Sequence, residues 1–406
     1  MIRHRPIRVL HCPSSVAGHP PGLARAEREL GLASRSVVFH PSAFRYPVDE
    51  VLCPPTAGPT AKAAWRELSR FRLLWKALRE ADVVHFNFGE TTMPQGAHGV
   101  AWPGSPFGKG LHRLYGLYAG ALEMRDLAWL KRAGKGIAVT FLGDDARQGD
   151  YCRDHFRIHP ADEVEPAYYA PAVDAHKRRR IARFDAVADR IYAVNPDLLH
   201  VLPSRAAFLP YAAVDPRRWP VVPWTLPADG VPVVAHAPSR RGVKGTRFVL
   251  EAVRRLQAEG VPLEFLLIEN RPHAEARRLY ERAHLLVDQL LVGWYGTVAV
   301  EFMAMGKPVL CYLRESDLAF LPAGMRADLP VIPAGPDTIY ETLKTWLTDR
   351  RGALADVGRR GRAYVETWHD PLQIAARLKA DYEAITAAAG RPSRAGGATR
   401  PGGPGR

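Results

Sequence analysis

The chain has 406 residues, 47% apolar and 24% charged, proportions of an ordinary soluble protein in a length that makes two domains the expectation. No run approaches the roughly 20 apolar residues of a membrane span, the opening MIRHRPIRVLHCPSS is too short and too soon polar for a secretory signal, and Cys12, Cys53, Cys152 and Cys311 lack paired spacing, so the expected location is a reducing cytoplasm. A formal charge of +14 calls for an anionic partner such as a nucleotide or an acidic membrane surface; nucleic acid is not expected, because no recognition module is present and the basic residues are spread out.

In chain order, the apolar run 7–11 reads as a buried strand, followed by a Pro/Ser/Gly loop, a helix over 23–30 closed by Gly31, and a strand over 36–39. This is the opening of a doubly wound sheet. The segment 61–80 carries Leu68, Phe71, Trp75 and Leu78 at helical spacing, a stripe read as core rather than membrane face. Strand 82–88 ends at Gly89 and Glu90, helix 111–131 carries Leu114, Tyr118 and Leu122 on one side, and strand 137–141 runs into Gly143, Asp144, Asp145, Ala146 and Arg147. Helix 172–188 bears His176, Lys177, Arg178, Arg179 and Arg180, read as a solvated face with docking to an acidic membrane as the alternative.

After strand 190–194, the proline-rich and aperiodic stretch 203–229 is assigned as the domain linker. The alternation restarts with strand 233–236, loop APSRRGVKGT, helix 247–259, strand 263–268, helix 273–282 and strand 284–287. It continues past residue 308 with strands 309–313 and 330–332 and helix 337–348. The organisation expected is an N-terminal domain over 1–220, a C-terminal domain over 221–369, and a disordered Gly/Pro/Arg tail over 390–406. A last helix over 370–389, capped by Asp370 and Pro371 and striped by Leu378, Tyr382 and Ile385, is free to pack back on the first domain.

The stretch DQLLVGWYGTVAVEFMAMGKPVLCYL, 288–313, carries the most chemistry. Gly296 and Thr297 open a helix with Val298, Phe302 and Met305 on one face, and Gly306 with Pro308 ends it. Glu301 then lies about one turn, roughly 6 Å, from the helix start. A helix start offers N–H groups and positive potential to phosphate, and a carboxylate one turn deeper suits ribose hydroxyls. Arg240, Arg241 and Lys244 with Gly242 and Gly245, in the first loop of the same half, combine cations with bare backbone suited to a diphosphate.

On these residues the chain resembles the retaining glycosyltransferases of family four. GTVAVEFMAMGKPVL is similar to their donor-binding segment and SRRGVKGT to their diphosphate loop; DVVHFNFG and VTFLGDDAR match in placement, so that the similarity reaches to about residue 389. The resemblance implies an α/β fold of the GT-B type, two facing Rossmann-like domains with a cleft between them. It also implies sugar transfer from a nucleotide donor with retention, without metal or cofactor. Glu301 would bind ribose, Thr297 and Val298 would offer N–H groups to the diphosphate, and Arg240 with Lys244 would neutralise the leaving charge.

Two positions depart from the family pattern. Its sugar-contacting glutamate is replaced by Gly293, and its histidine after the first-domain strand by Leu142. Asp288 and Asp145, at strand ends of the two halves, are the candidates to supply polar catalytic groups, with helix capping or pairing to a cation such as Arg147 as the other use. Gly18, His19, Asn87 and Glu90 are placed to line a pocket for a glycan, lipid-linked or small-molecule acceptor. A metal cluster of Cys152, His155, His159 and Asp150 is incomplete, and His85 reads as a satisfied core histidine rather than a base. A sugar-nucleotide-binding protein without catalysis is the alternative function.

Overall fold

The computed structural model of the protein describes residues 5–42, 44–53, 59–95, 106–226 and 230–389; the tail expected to be disordered lies outside them. Seven parallel strands form a first sheet: β1 (Arg8–Cys12), β2 (Ala33–Val38), β3 (Glu50–Val51), β4 (Val83–Asn87), β5 (Gly136–Phe141), β6 (Arg190–Ala193) and β7 (Ala207–Phe208), in the order β3-β2-β1-β4-β5-β6-β7. Five more, β8 (Val233–His236), β9 (Glu264–Leu267), β10 (Leu285–Val287), β11 (Val309–Cys311) and β12 (Ile332–Pro333), form a second sheet in the order β12-β11-β10-β8-β9. Both are α/β sheets whose strand order reverses beside their first strand, which opens a crevice at the carboxyl ends. The two sheets share apolar packing: Leu142, Phe208, Tyr211 and Trp219 belong to one cluster with Trp294, Tyr295 and Phe302.

Several elements differ from the sequence reading. The helix expected over 111–131 is two, Pro106–Leu122 and Arg125–Arg132, broken where Met124 takes a left-handed φ of 54°. The stretch read as linker contributes β7 as an edge strand, and the helix Leu354–Trp368 lies where the sequence reading assigned no element. In Pro59–Glu80 most of the stripe read as core faces solvent: Leu68, Phe71 and Trp75 are exposed, Leu78 packs partly buried on the core, and Leu73, Leu74 and Ala77 are buried. That helix is apolar on two sides, and periodicity alone selected the wrong one.

The cluster read as a solvated basic face is also partly turned inward. Lys177 is buried and donates to the Arg147 carbonyl, and the buried Arg180 guanidinium holds the carbonyls of Phe88 and Gly89. Arg178 pairs with Asp150. Cys152 packs with Phe156, Ala161 and Tyr169, and His155 Nδ1 meets the Tyr151 carbonyl, so these side chains do not converge.

The final helix, Pro371–Ala389, lies on the first sheet against His19–Glu29. A buried polar chain fastens it there. Tyr382 donates to Glu27, whose carboxylate also meets His11 and Ser34, while His85 is held between the Tyr382 hydroxyl (2.6 Å) and Thr140 (2.7 Å). Tyr382→Phe is expected to leave His85 and Glu27 short of a partner and to cost about 1–3 kcal/mol in urea unfolding.

Buried imidazoles set an acid limit on stability. Burial pushes His19 down to about 3 and His236 and His369 down to about 4, and holds His85 well below its ordinary value. Below the ordinary 6.5 the unfolded chain takes up protons that the native protein refuses, so stability falls as pH drops from 6.5 toward 4. Asp145, which burial pushes up to about 6, acts oppositely, as do Asp126 and Asp317, also raised by burial, but six imidazoles, with His159 and His284 lowered as well, outnumber three carboxyls. Unfolding free energy is expected to fall by about 1.4 kcal/mol per net proton per pH unit between about pH 6 and about pH 5; equal values at the two would refute this account.

Candidate functional site

The carboxyl ends of the two sheets face each other across a cavity of about 400 Å³. The first sheet supplies Ser15 and Val16 after β1, Phe88 after β4, Leu142, Gly143, Asp144 and Arg147 after β5, and Asn195 after β6. Ala237 to Ser239, Val243 and Lys244 follow β8, Glu269 and Asn270 follow β9, and Gln289, Gly296, Thr297 and Val298 follow β10.

On the second-sheet wall, Asp288 organises the loop. Its buried carboxylate accepts the Gly296 N–H at 2.6 Å and Lys244 Nζ at 3.2 Å, and Lys244 also donates to Gln289 Oε1 at 2.6 Å. A Cβ on Gly296 would come within 2.9 Å of Lys244 Nζ, so glycine lets the ammonium sit against the backbone that opens the helix Thr297–Ala304. Gly245 takes φ +73°, joining the short helix Arg241–Lys244 to Thr246–Ala258 and turning Lys244 to the cavity.

Glu301 lies one turn below Thr297 and is buried. One carboxylate oxygen accepts from His273 Nε2 at 2.6 Å; the other has no hydrogen-bond partner, nor has the buried Thr297 hydroxyl. The Tyr46 ring, from the first half of the chain, lies over His273 with centroids 4.4 Å apart. Burial and then the Glu301 charge raise the Tyr46 phenol well above its ordinary value. The wall therefore offers an ammonium and a helix start at the surface and a half-satisfied carboxylate behind them, a set suited to an anionic ligand with hydroxyls attached.

No protein-family model matches the chain, and no curated protein matches it in sequence. Solved structures do match. HepE from Anabaena, crystallised in complex with UDP-glucose, aligns with TM-score 0.54 and 12% identity over 93% of this chain and 99% of its own. Sucrose-phosphate synthase from Thermosynechococcus elongatus aligns with TM-score 0.52 and 15% identity over 95% of this chain and 100% of its own. The chain has the GT-B fold. Within that GT-B frame, the cleft, Lys244, Gly296, Thr297 and Val298 occupy one wall together.

Other candidates sit elsewhere. Asp145 faces away from the GT-B cleft and accepts the backbone N–H groups of Leu142 and Gly143, at 3.1 and 2.6 Å, so it caps the turn after β5. Arg241 is engaged by Glu269 at 2.5 Å, and Arg240 lies across the Tyr168 ring at 4.4 Å on the exposed rim. His19 and Asn87 are enclosed rather than lining a pocket: His19 Nδ1 accepts the Ala212 N–H and Asn87 donates to the His85 carbonyl. Gly18 packs on the Tyr46 ring, and Glu90 accepts from Ser14.

The cleft-facing acid of the first half is Asp144, which sequence reasoning passed over for its neighbour. Burial opposes its ionisation, but the Arg147 guanidinium and the hydroxyls of Tyr168 and Tyr169, both at 2.6 Å, outweigh this and hold it below the ordinary carboxylate range. Arg147 is fixed in turn by Asp197 at 2.7 Å. His273, Gln289 and Asn195 were also missed, and no motif marks them.

Gly293 is closed to a longer side chain. At φ +93°, a Cβ there would meet Arg314 Nη1 at 2.7 Å and Asp317 Oδ2 at 2.8 Å, an ion pair buried in that space. Gly293→Glu is expected to destabilise the fold by several kcal/mol rather than install a carboxylate. Asp145→Ala is expected to lower stability by about 1.5–3 kcal/mol through loss of the turn cap, whereas Asp144→Asn changes cleft charge with a smaller effect on unfolding.

Proposed function

We propose that this protein is a glycosyltransferase that moves a sugar from a nucleoside diphosphate donor to an acceptor in the cleft. The observation that carries the reading is the wall on which Lys244 and the Gly296–Thr297 helix start stand one turn above Glu301, whose second oxygen has no partner. In this reading the diphosphate lies against the N–H groups of Thr297 and Val298 with Lys244 beside it. A hydroxyl of the donor ribose donates a hydrogen bond to the free Glu301 oxygen, and Arg240 closes over from the rim. As the glycosidic bond breaks, negative charge grows on the diphosphate, where an ammonium and a helix start act most strongly.

These groups make metal-independent transfer the working scheme, and retention of configuration follows from the family resemblance of 296–310. HepE binds UDP-glucose in its crystal structure, so uridine donors are the first to try. The acceptor, a glycan, a lipid-linked sugar or a small molecule, would enter from the wall formed by Asp144, Arg147 and Tyr168. Asp144 is the carboxylate in place to meet it. The setting of this chemistry is taken to be the cytoplasm.

Binding without transfer is favoured by one feature: the position of the family's sugar-contacting glutamate holds Gly293 packed on the Arg314–Asp317 pair. Melting curves with UDP, GDP, ADP and their glucose conjugates, followed by assays of transfer and donor hydrolysis, separate the readings. One nucleotide series is expected to raise the melting temperature, and Lys244→Ala and Glu301→Gln are each expected to weaken it about 10- to 100-fold, the worth of a charge-assisted hydrogen bond. Failure of every nucleotide to shift melting would remove both readings; a shift with neither transfer nor hydrolysis would leave the binding protein.

A further inference from the structure

The helix Pro59–Glu80 turns a second apolar face to solvent. At about 100° per residue, Arg70, Leu73, Leu74 and Ala77 point at the first sheet, and Trp65, Leu68, Phe71 and Trp75 project on the opposite side. The neighbouring helix Pro106–Leu122 is tied alongside by Tyr115 and Tyr118, both donating to Glu67, and it extends the patch with Leu114 and Leu117. These six side chains are 43 to 73% exposed. Large aromatic and aliphatic groups gathered on one face in this way mark an interaction surface rather than scattered exposure.

The charges around the patch decide what it meets. Among the described side chains, and leaving out the buried Arg70, the longer helix carries Arg66, Arg72, Lys76 and Arg79 against Glu67 and Glu80, and the shorter carries Arg113. Glu50 is shared among Arg35, Arg72 and Lys76, and Glu80 between Arg35 and Lys76. A second copy of the chain would set this basic face against itself. A lipid surface with acidic headgroups instead takes tryptophan and leucine at the boundary of headgroup and acyl chain, and arginine at the phosphates.

We infer that the outward face of Pro59–Glu80 and Pro106–Leu122 docks on an anionic lipid surface, with Trp65, Leu68, Phe71, Trp75, Leu114 and Leu117 entering the interface. Helices that cross between parallel strands run back from the carboxyl ends, so the start of Pro59–Glu80, which follows β3, lies at the cleft end of the sheet. Docking therefore sets the mouth of the cleft beside the lipid. It stands independently of which sugar or nucleotide the cleft takes.

The test is cosedimentation of the full chain with vesicles of phosphatidylcholine alone and of phosphatidylcholine mixed with phosphatidylglycerol, at low and high salt. Binding to the mixed vesicles is expected, weakened by salt, and reduced about tenfold or more by Leu68→Ser with Trp75→Ser and by Leu114→Ser with Leu117→Ser. Melting temperatures should stay near that of the parent, since these side chains contribute little to the core, and Val231→Ser, exposed elsewhere, should bind like the parent. Absence of binding to the mixed vesicles, or equal binding by the double variants, overturns the inference. So does a dimer in size-exclusion chromatography that the same variants convert to monomer, since the face would then be covered by a second copy.

Discussion

Parallel strands impose one constraint from which most of this molecule follows: every loop that leaves a strand's carboxyl end emerges on the same edge of its sheet. With the twelve strands of the described residues in two such sheets whose carboxyl ends face one cavity, residues far apart in sequence are forced into one crevice. Lys244, Gln289 and Thr297 meet there from the second half and Asp144, Asn195 and Phe88 from the first. Within that crevice Asp288 carries the local burden. Being buried, it must be satisfied, and it is satisfied by the ammonium and the N–H that define the anion-facing wall.

Buried polar groups are divided between two tasks. The His11–Glu27–Tyr382–His85 chain secures packing and leaves one ring nitrogen, His11 Nδ1, without a partner. The groups around Glu301 are not closed, since one carboxylate oxygen and the Thr297 hydroxyl have no protein partner. Leaving such atoms buried and unmet costs stability, which makes them the natural points for a ligand to complete.

The alternation of short apolar runs with helical stripes was enough to read the α/β class and two halves facing across a cleft, because parallel strands buried on both faces advertise themselves as continuous Val/Ile/Leu runs; the GT-B type came from the resemblance of 296–310. The second-sheet wall was legible for a similar reason: helix start and Glu301 are related by a fixed periodicity. Side-chain direction in loops has no such period. Asp144 and Asp145 differ by one position, and only the fold shows that the second turns back to cap its own loop while the first faces the cleft. The helix Pro59–Glu80 failed for a different reason, since two apolar faces give periodicity no means of choosing which is inside.

The return of Pro371–Ala389 to the first sheet means that the chain passes between the halves twice, once after β7 and once at His369. The two passages are stitched together: His369 Nδ1 meets the Tyr211 carbonyl at 3.0 Å and its Nε2 accepts from Tyr295 at 2.8 Å. A joint made of two bonded strands resists shear and twist far better than a single tether. The movement it leaves soft is a jaw-like opening of one half from the other, with the imidazole at its pivot, and the cleft lies where the jaws meet.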